Sequence, residues 1–162
     1  MLFWCGLRLG ELLALTLDDI DFENATLKIR HSYQKINGEA YLSDTKTVNG
    51  IRKVYLPQRL VEELQDYTNG LYIKDNKTHI FPVSKSNMHN IMNKGCEECG
   101  VKRITIHGLR HSHASLLIEL GFQPLLVSER LGHENIETTL QTYSHLYPNK
   151  QQEVADRLNA LA

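Results

Sequence analysis

The sequence predicts an α+β domain, mostly helical, with a small three-stranded antiparallel sheet. Three observations predict it. Alternating apolar and polar residues, the period of a half-buried strand, are confined to residues 26–56, where two Asn-Gly turn signals punctuate them. From residue 58 onward the apolar residues recur every three or four positions, as on helix faces. The chain has 162 residues and is 41% apolar, enough for one packed core, with no repeat or low-complexity linker.

The elements follow in order. Leucines at 9, 12, 13, 15 and 17 predict a short helix that Asp18-Asp19-Ile20-Asp21 ends. Thr26 to His31 alternates and reads as a strand. Asn37-Gly38 is a hairpin turn, and Ala40 to Asp44 is a second strand. Asn49-Gly50 turns the chain into a third strand, Arg52 to Leu56, stopped by Pro57, so residues 26–56 read as a meander. Gln58 to Tyr67 shows an apolar helix face of Leu60, Val61, Leu64 and Tyr67. His79-Ile80-Phe81 is a short extended piece, and Ser86 to Glu98 a helix closed by Gly100. Thr105 caps a helix from Ile106 to Leu120 that Gly121 stops. A short helix from Pro124 to Leu131 ends at Gly132, and Asn135 caps another to about His145. Pro148 opens a last helix with Val154, Leu158 and Leu161 on one face.

Bulk properties exclude several classes. No apolar stretch approaches the ~20 residues of a membrane helix, and Met1 to Gly6 is too short for a signal peptide. Three cysteines, an odd count, suit a reducing cytoplasm. The apolar start, Met1-Leu2-Phe3-Trp4-Cys5, reads as the end of a buried helix, which predicts a piece of a longer protein. Net charge is −1, which by itself does not announce a nucleic-acid binder, but its distribution is uneven. Lys28, Arg30, Lys35, Lys46, Arg52, Lys53 and Arg59 face only Glu39 and Asp44 between residues 28 and 59. Lys102, Arg103, Arg110 and three histidines fall within 102–113 with no acid.

A set of dispersed residues carries the chemistry. His107 and Arg110 are three apart at a predicted helix start, where unpaired N–H groups favour a bound phosphate. His133 follows a helix-ending glycine and precedes a capped helix, a second phosphate-friendly terminus. Arg8 lies in an apolar segment and must reach the surface or be paired; Glu11 is three residues on. Lys46 stands in a turn between strands, with Lys35 and Lys53 as rivals. Tyr143 is a late tyrosine, with Tyr147 as the alternative nucleophile. Taken singly, each has an ordinary explanation: a solvated lysine, a loop histidine, a core tyrosine. Together they are what a metal-free attack on a phosphodiester needs, because arginines neutralise a phosphorane, lysine or histidine moves protons, and tyrosine attacks.

The stretches Gly6-Leu7-Arg8-Leu9-Gly10-Glu11, His107-Gly108-Leu109-Arg110-His111, and Leu131-Gly132-His133 through Thr138-Thr139 to Tyr143-Ser144-His145 resemble the catalytic domain of tyrosine recombinases, the phage integrases. The similarity covers nearly the whole chain and is closest in character to integrases of Gram-positive phages and conjugative transposons. The resemblance implies their DNA breaking–rejoining fold over residues 1–162. It also implies a core-binding and an arm-binding domain outside this chain. Arg8 and Arg110 would bind the phosphate, Tyr143 would be the nucleophile, Lys46 the hairpin lysine, and His107 and His133 the two histidines. Glu11 would support the first arginine. His107 is the expected proton acceptor for Tyr143. Lys28, Arg30, Lys53, Arg103 and His111 are expected DNA contacts. The implied partners are double-stranded attachment sites and three further protomers on synapsed DNA, with DNA-bending and directionality factors. A monomer is expected without DNA, and no cofactor or metal is implied.

Two rivals were weighed. His107 and His111, at i,i+4, form a candidate metal pair, but no HExxH glutamate accompanies them, and Cys96-Glu97-Glu98-Cys99 is a lone CxxC. The alternative within the fold is a catalytically inactive DNA-binding relic; occupation of all six catalytic positions argues against it.

Overall fold

The computed structural model describes residues 1–36, 39–44, 50–72, 75–147 and 151–160. Two short helices, α1 (Leu2–Cys5) and α2 (Leu9–Ala14), lead through a 3₁₀ turn at Leu17–Asp19 into five strands: β1 (Ile20–Asp21), β2 (Thr26–Ile29), β3 (His31–Ile36), β4 (Glu39–Asp44) and β5 (Arg52–Tyr55). Helices follow: α3 (Gln58–Asn69), α4 (Lys85–Glu98), α5 (Ile106–Glu119), α6 (Pro124–Leu131), α7 (Ile136–Tyr143) and α8 (Gln151–Asn159). The α+β class, mostly helical with a small antiparallel sheet, is what the sequence predicts.

The strand pairing differs from the expected meander. The three-stranded sheet has the order β1-β2-β5, while β3 and β4 form a separate hairpin. Leu27 pairs with Val54 and Ile29 with Arg52, so the first and last strands of the segment meet directly. Ile36 pairs with Glu39 across the expected Asn37-Gly38 turn, which itself lies outside the described residues. Regular strand pairing lapses at Arg30, whose guanidinium is held by Asp19 at 2.6–2.7 Å, and the chain leaves the first sheet there. Residues 26–36 are therefore two strands, and the hairpin is an excursion between β2 and β5. Period-2 patterning reports strand content, not which strand pairs with which.

Helix boundaries follow their capping chemistry. Thr105 Oγ1 accepts from Gly108 N at 2.9 Å and Asn135 Oδ1 from Thr138 N at 3.2 Å. Ser84 caps α4, which starts at Lys85, one residue before the expected Ser86. The first predicted helix is shorter than expected: Leu15 is extended and its carbonyl accepts from Ile80 N at 3.0 Å, tying in the His79-Ile80-Phe81 segment.

The main core joins α1, α2, the three-stranded sheet and α3 through Leu7, Leu12, Leu27, Ile29, Val54, Leu60 and Ile80. A second cluster on α5, α6 and α7 contains Ala114, Ile118, Val127, Leu131 and Tyr143. Across the seam between them, Arg110 of α5 reaches backbone of both. On α8, Val154 and Leu158 are at least half exposed, so this face is not buried against its own domain; Leu161 lies outside the described residues.

Candidate active site

The site starts from one buried acid. Glu11 precedes the apolar Leu12-Leu13-Ala14 on α2 and is fully buried, so its charge needs internal partners. It has four. Arg8 donates its backbone N–H at 2.8 Å and its Nη1 at 2.8 Å. Arg52 donates Nη1 and Nη2 at 3.0 and 2.9 Å, a two-pronged guanidinium–carboxylate pair. Burial pushes the Glu11 carboxyl up, but the hydrogen bond and charge of Arg52, and then Arg8, more than reverse this; the net shift is down. Two cations on one anion leave a positive excess, and it lies on Arg8, whose side chain is 43% exposed against 6% for Arg52.

Arg110 is held by backbone instead. Its Nη1 donates to Gly6 O and its Nη2 to Leu131 O, both at 2.7 Å. Arg8 Nη2 similarly donates to Gly132 O at 3.3 Å. Gly6 and Gly132 end α1 and α6 in the left-handed region, with φ of +63° and +67°. The two arginines therefore sit on helix C-terminal carbonyls. A side chain on Gly6 would strike His113, and one on Gly132 would strike Arg52, each at 2.7 Å. Burial, then the charge of Arg8, lowers Arg110 to about 9, which leaves it a cation at neutral pH.

The histidines and the tyrosine close the arrangement. His107 is the second residue of α5, exposed at its N-terminus. Burial of part of its ring, then His111, Arg110 and Arg8, lower its pKa. His133 Nδ1 lies 2.8 Å from Thr139 Oγ1. Burial, then Arg110 and Arg8, bring His133 down to about 4, so it is neutral at pH 7. If Thr139 donates to Nδ1, the single proton of the neutral ring sits on Nε2 and leaves a donor free. Tyr143 is only 5% exposed and belongs to the second core cluster. Its hydroxyl lies 2.6 Å from Nδ1 of His111. Burial raises its pKa and the charge of Arg110 opposes this.

Arg8, Glu11, Gly132, His133 and Thr138 line a cavity of about 470 Å³, whose other wall is Ser32, Gln34 and Ser43 of the hairpin. The structure thus brings Arg8 and His133 to one cavity. Arg8, Arg110 and His111 act electrostatically on both His107 and His133, and Arg110 and Tyr143 act on each other. Tyr143 is influenced by Arg110 and bonded to His111. The Tyr147 hydroxyl is buried with no hydrogen-bond partner among the described residues. Lys46 lies outside the described residues, in the 45–49 segment between β4 and β5.

The expected DNA contacts are dispersed. Lys28 and Arg103 are exposed. Arg30 is committed to Asp19. Lys53 lines a different cavity of about 460 Å³, with Tyr55, Phe122 and Leu126. His111 meets Tyr143. Among the described residues, no three His, Cys, Asp or Glu side chains gather as a metal site would need; nor is any helix long and apolar enough to cross a membrane.

Sequence reasoning missed Arg52. It was legible: Arg52 and Val54 share one face of β5, and Val54 is buried, so a cation there requires a buried anion. Thr139, fully buried beside His133, was missed as well.

The sequence model of the Phage integrase family matches residues 1–150. The ICEBs1 integrase of Bacillus subtilis is 36% identical over 172 residues, covering 98% of this chain and 47% of that protein. Transposase A from transposon Tn554 of Staphylococcus aureus is 31% identical over 154 residues, covering 87% of this chain and 40% of that protein. The chain therefore spans about half the length of the curated relatives it matches. Among solved structures, the Tn1549 transposon integrase in complex with a circular intermediate DNA superposes with a TM-score of 0.81 at 23% identity, over 99% of this chain and 56% of that one. The catalytic domain of bacteriophage HP1 integrase gives 0.61 at 22% identity, over 99% and 79%. With the family match spanning nearly its whole length and the fold of these catalytic domains, this chain belongs to the phage integrase family, the tyrosine recombinases.

Proposed function

We propose that this domain cuts and rejoins DNA strands at specific sites, through a 3′-phosphotyrosine intermediate, to integrate or excise a mobile element. The observation that carries the reading is the pair of differently anchored arginines, Arg8 and Arg110, both acting on His133, with Arg110 electrostatically linked to Tyr143. The relatives named as integrases and a transposase support the same reading.

In this reaction Tyr143 attacks the scissile phosphorus, forms the O–P bond and expels the 5′ oxygen. Arg8 and Arg110 donate to the non-bridging oxygens, most strongly when the phosphorus is pentacoordinate. Neutral His133 adds its Nε2–H, and His107 brings a helix N-terminus to the same charge. Lys46 is the acid that protonates the leaving oxygen. The phosphotyrosine retains the energy of the broken ester, so ligation to a partner strand needs no ATP. Attachment sites are double-stranded DNA, bound with Lys28 and Arg103 among the contacts, and two rounds of exchange proceed in a four-protomer synapse. The exposed Val154 and Leu158 of α8 dock onto a neighbouring protomer in that assembly.

Covalent trapping tests the reading. The protein is mixed, in EDTA, with nicked DNA carrying the element's own core site. The expected result is an SDS-resistant protein–DNA adduct, absent in Tyr143→Phe. No adduct from the full natural protein would overturn the catalytic assignment.

A further inference from the structure

The tyrosine hydroxyl meets a histidine, but not the one expected. His107 was the anticipated proton acceptor, yet the ring nitrogen within hydrogen-bond distance of Tyr143 Oη is Nδ1 of His111, at 2.6 Å. That is short for a bond between a ring nitrogen and a hydroxyl. The two rings lie 5.7 Å apart, tilted by 56°. His107, one turn earlier on α5, instead meets His111 edge to face at 4.6 Å. The order in space is therefore His107, His111, Tyr143.

We infer that His111 is a catalytic residue: the base that takes the Tyr143 proton during attack and returns it on religation. This rests on the recombinase reading above. Three features support it. Nδ1 of His111 lies 2.6 Å from the phenol oxygen, and a ring whose single proton is on Nε2 would offer that nitrogen as an acceptor. The ring is exposed, so Nε2 can exchange protons with water. Tyr143 itself is buried at 5% exposure, and burial resists the phenolate, so its proton needs an adjacent acceptor at the moment of attack.

The step balances. The phenol proton moves to Nδ1 as the phenolic oxygen bonds to phosphorus. The 5′ oxygen leaves with the phosphorus–oxygen electron pair and takes a proton from the acid of the proposed mechanism. On religation the imidazolium returns its proton to the tyrosine. Charged and titratable groups facing this pair are His107 and Arg110 on α5, and His133 ahead of α7. Arg110 favours the phenolate, so it eases the transfer.

The test is single-turnover cleavage of nicked core-site DNA by the full natural protein, across pH, in wild type, His111→Leu and His111→Gln. Glutamine can accept the phenol hydrogen bond but cannot take its proton. Expected, at saturating DNA, is cleavage slowed by about 10²–10⁴-fold in both variants, with one ionisation lost from the rate–pH profile. Recovery to near wild-type rate in His111→Gln would reduce His111 to a positioning role and overturn the inference. So would wild-type rates and pH profile in both variants. Should His111→Leu fail to fold, His111→Gln carries the same test. A wild type that forms no adduct overturns the recombinase reading and this inference together; an active wild type indifferent to His111 overturns this inference alone.

Discussion

Arg52 grips Glu11 with both terminal nitrogens of its guanidinium, at 3.0 and 2.9 Å, and in the same pose donates Nε to Arg130 O at 2.9 Å. One buried side chain thus ties β5, α2 and the end of α6, the three elements that carry or flank Lys46, Arg8 and His133. Glu11 is the hub, because Arg8 also depends on it.

Removing that hub is expected to be costly. Glu11→Gln leaves Arg52 buried with no counter-charge, and about 3–5 kcal/mol of stability should be lost. Arg52→Lys keeps the charge but cannot make both bonds, and about 1–3 kcal/mol should go. Urea denaturation midpoints measure both. A Glu11→Gln variant as stable as wild type would show that the pair is not holding the three elements together.

Gly132 makes a second, geometric prediction. Its φ of +67° and the 2.7 Å approach of Arg52 Nη1 both oppose a side chain. Gly132→Ala should cost about 1–3 kcal/mol. It should also slow cleavage, because the Gly132 carbonyl that holds Arg8 moves. Unchanged stability and cleavage together would contradict this account.

The arginines should not be exchangeable for lysine. Arg110 spans Gly6 O and Leu131 O and still has N–H groups left for a phosphate, which a single ammonium cannot do. Arg110→Lys is expected to bind DNA yet cleave it about 10²–10³-fold more slowly. A loss of binding with no change in the cleavage step would assign Arg110 to affinity instead.

Acid should unfold the domain in a defined window. Burial, then Arg130 and Arg110, lower His113 to about 4, while burial, then Arg110, lower His133 to about 4. Between pH 4 and the ordinary histidine value of about 6.5 the unfolded chain binds more protons than the folded one. Stability therefore rises with pH across this window, is fully present above it, and is lost as pH falls to 4. For His113, which is 3% exposed, the loss is on the order of 3 kcal/mol. Denaturation midpoints at pH 7, 5 and 4 check this, and His113→Gln should flatten the fall. A midpoint independent of pH in that range would refute it.

Much of this molecule was legible before its fold. Thr105, Gly132 and Asn135 announced helix ends because capping is a local transaction between a side chain and nearby backbone. Strand partners were not, because pairing is decided at long range: nothing within Thr26–Ile29 says that Arg52–Tyr55, rather than Glu39–Asp44, lies beside it. The same divide runs through the site. The chemistry-bearing residues stood out by type and order. The contacts that tune them, Thr139 to His133 and His111 to Tyr143, are made between separate elements, and single-residue signals could not foretell them.

The anchoring of Arg110 has one more consequence. Its two partners are main-chain oxygens, which every amino acid possesses. Leu131 could be exchanged for another apolar residue without altering the acceptor offered to the guanidinium. The guanidinium's anchorage is thus insulated from drift in the side chains around it and sensitive to the path of the backbone. Such a device can be inherited almost unchanged while the surfaces around it are rewritten.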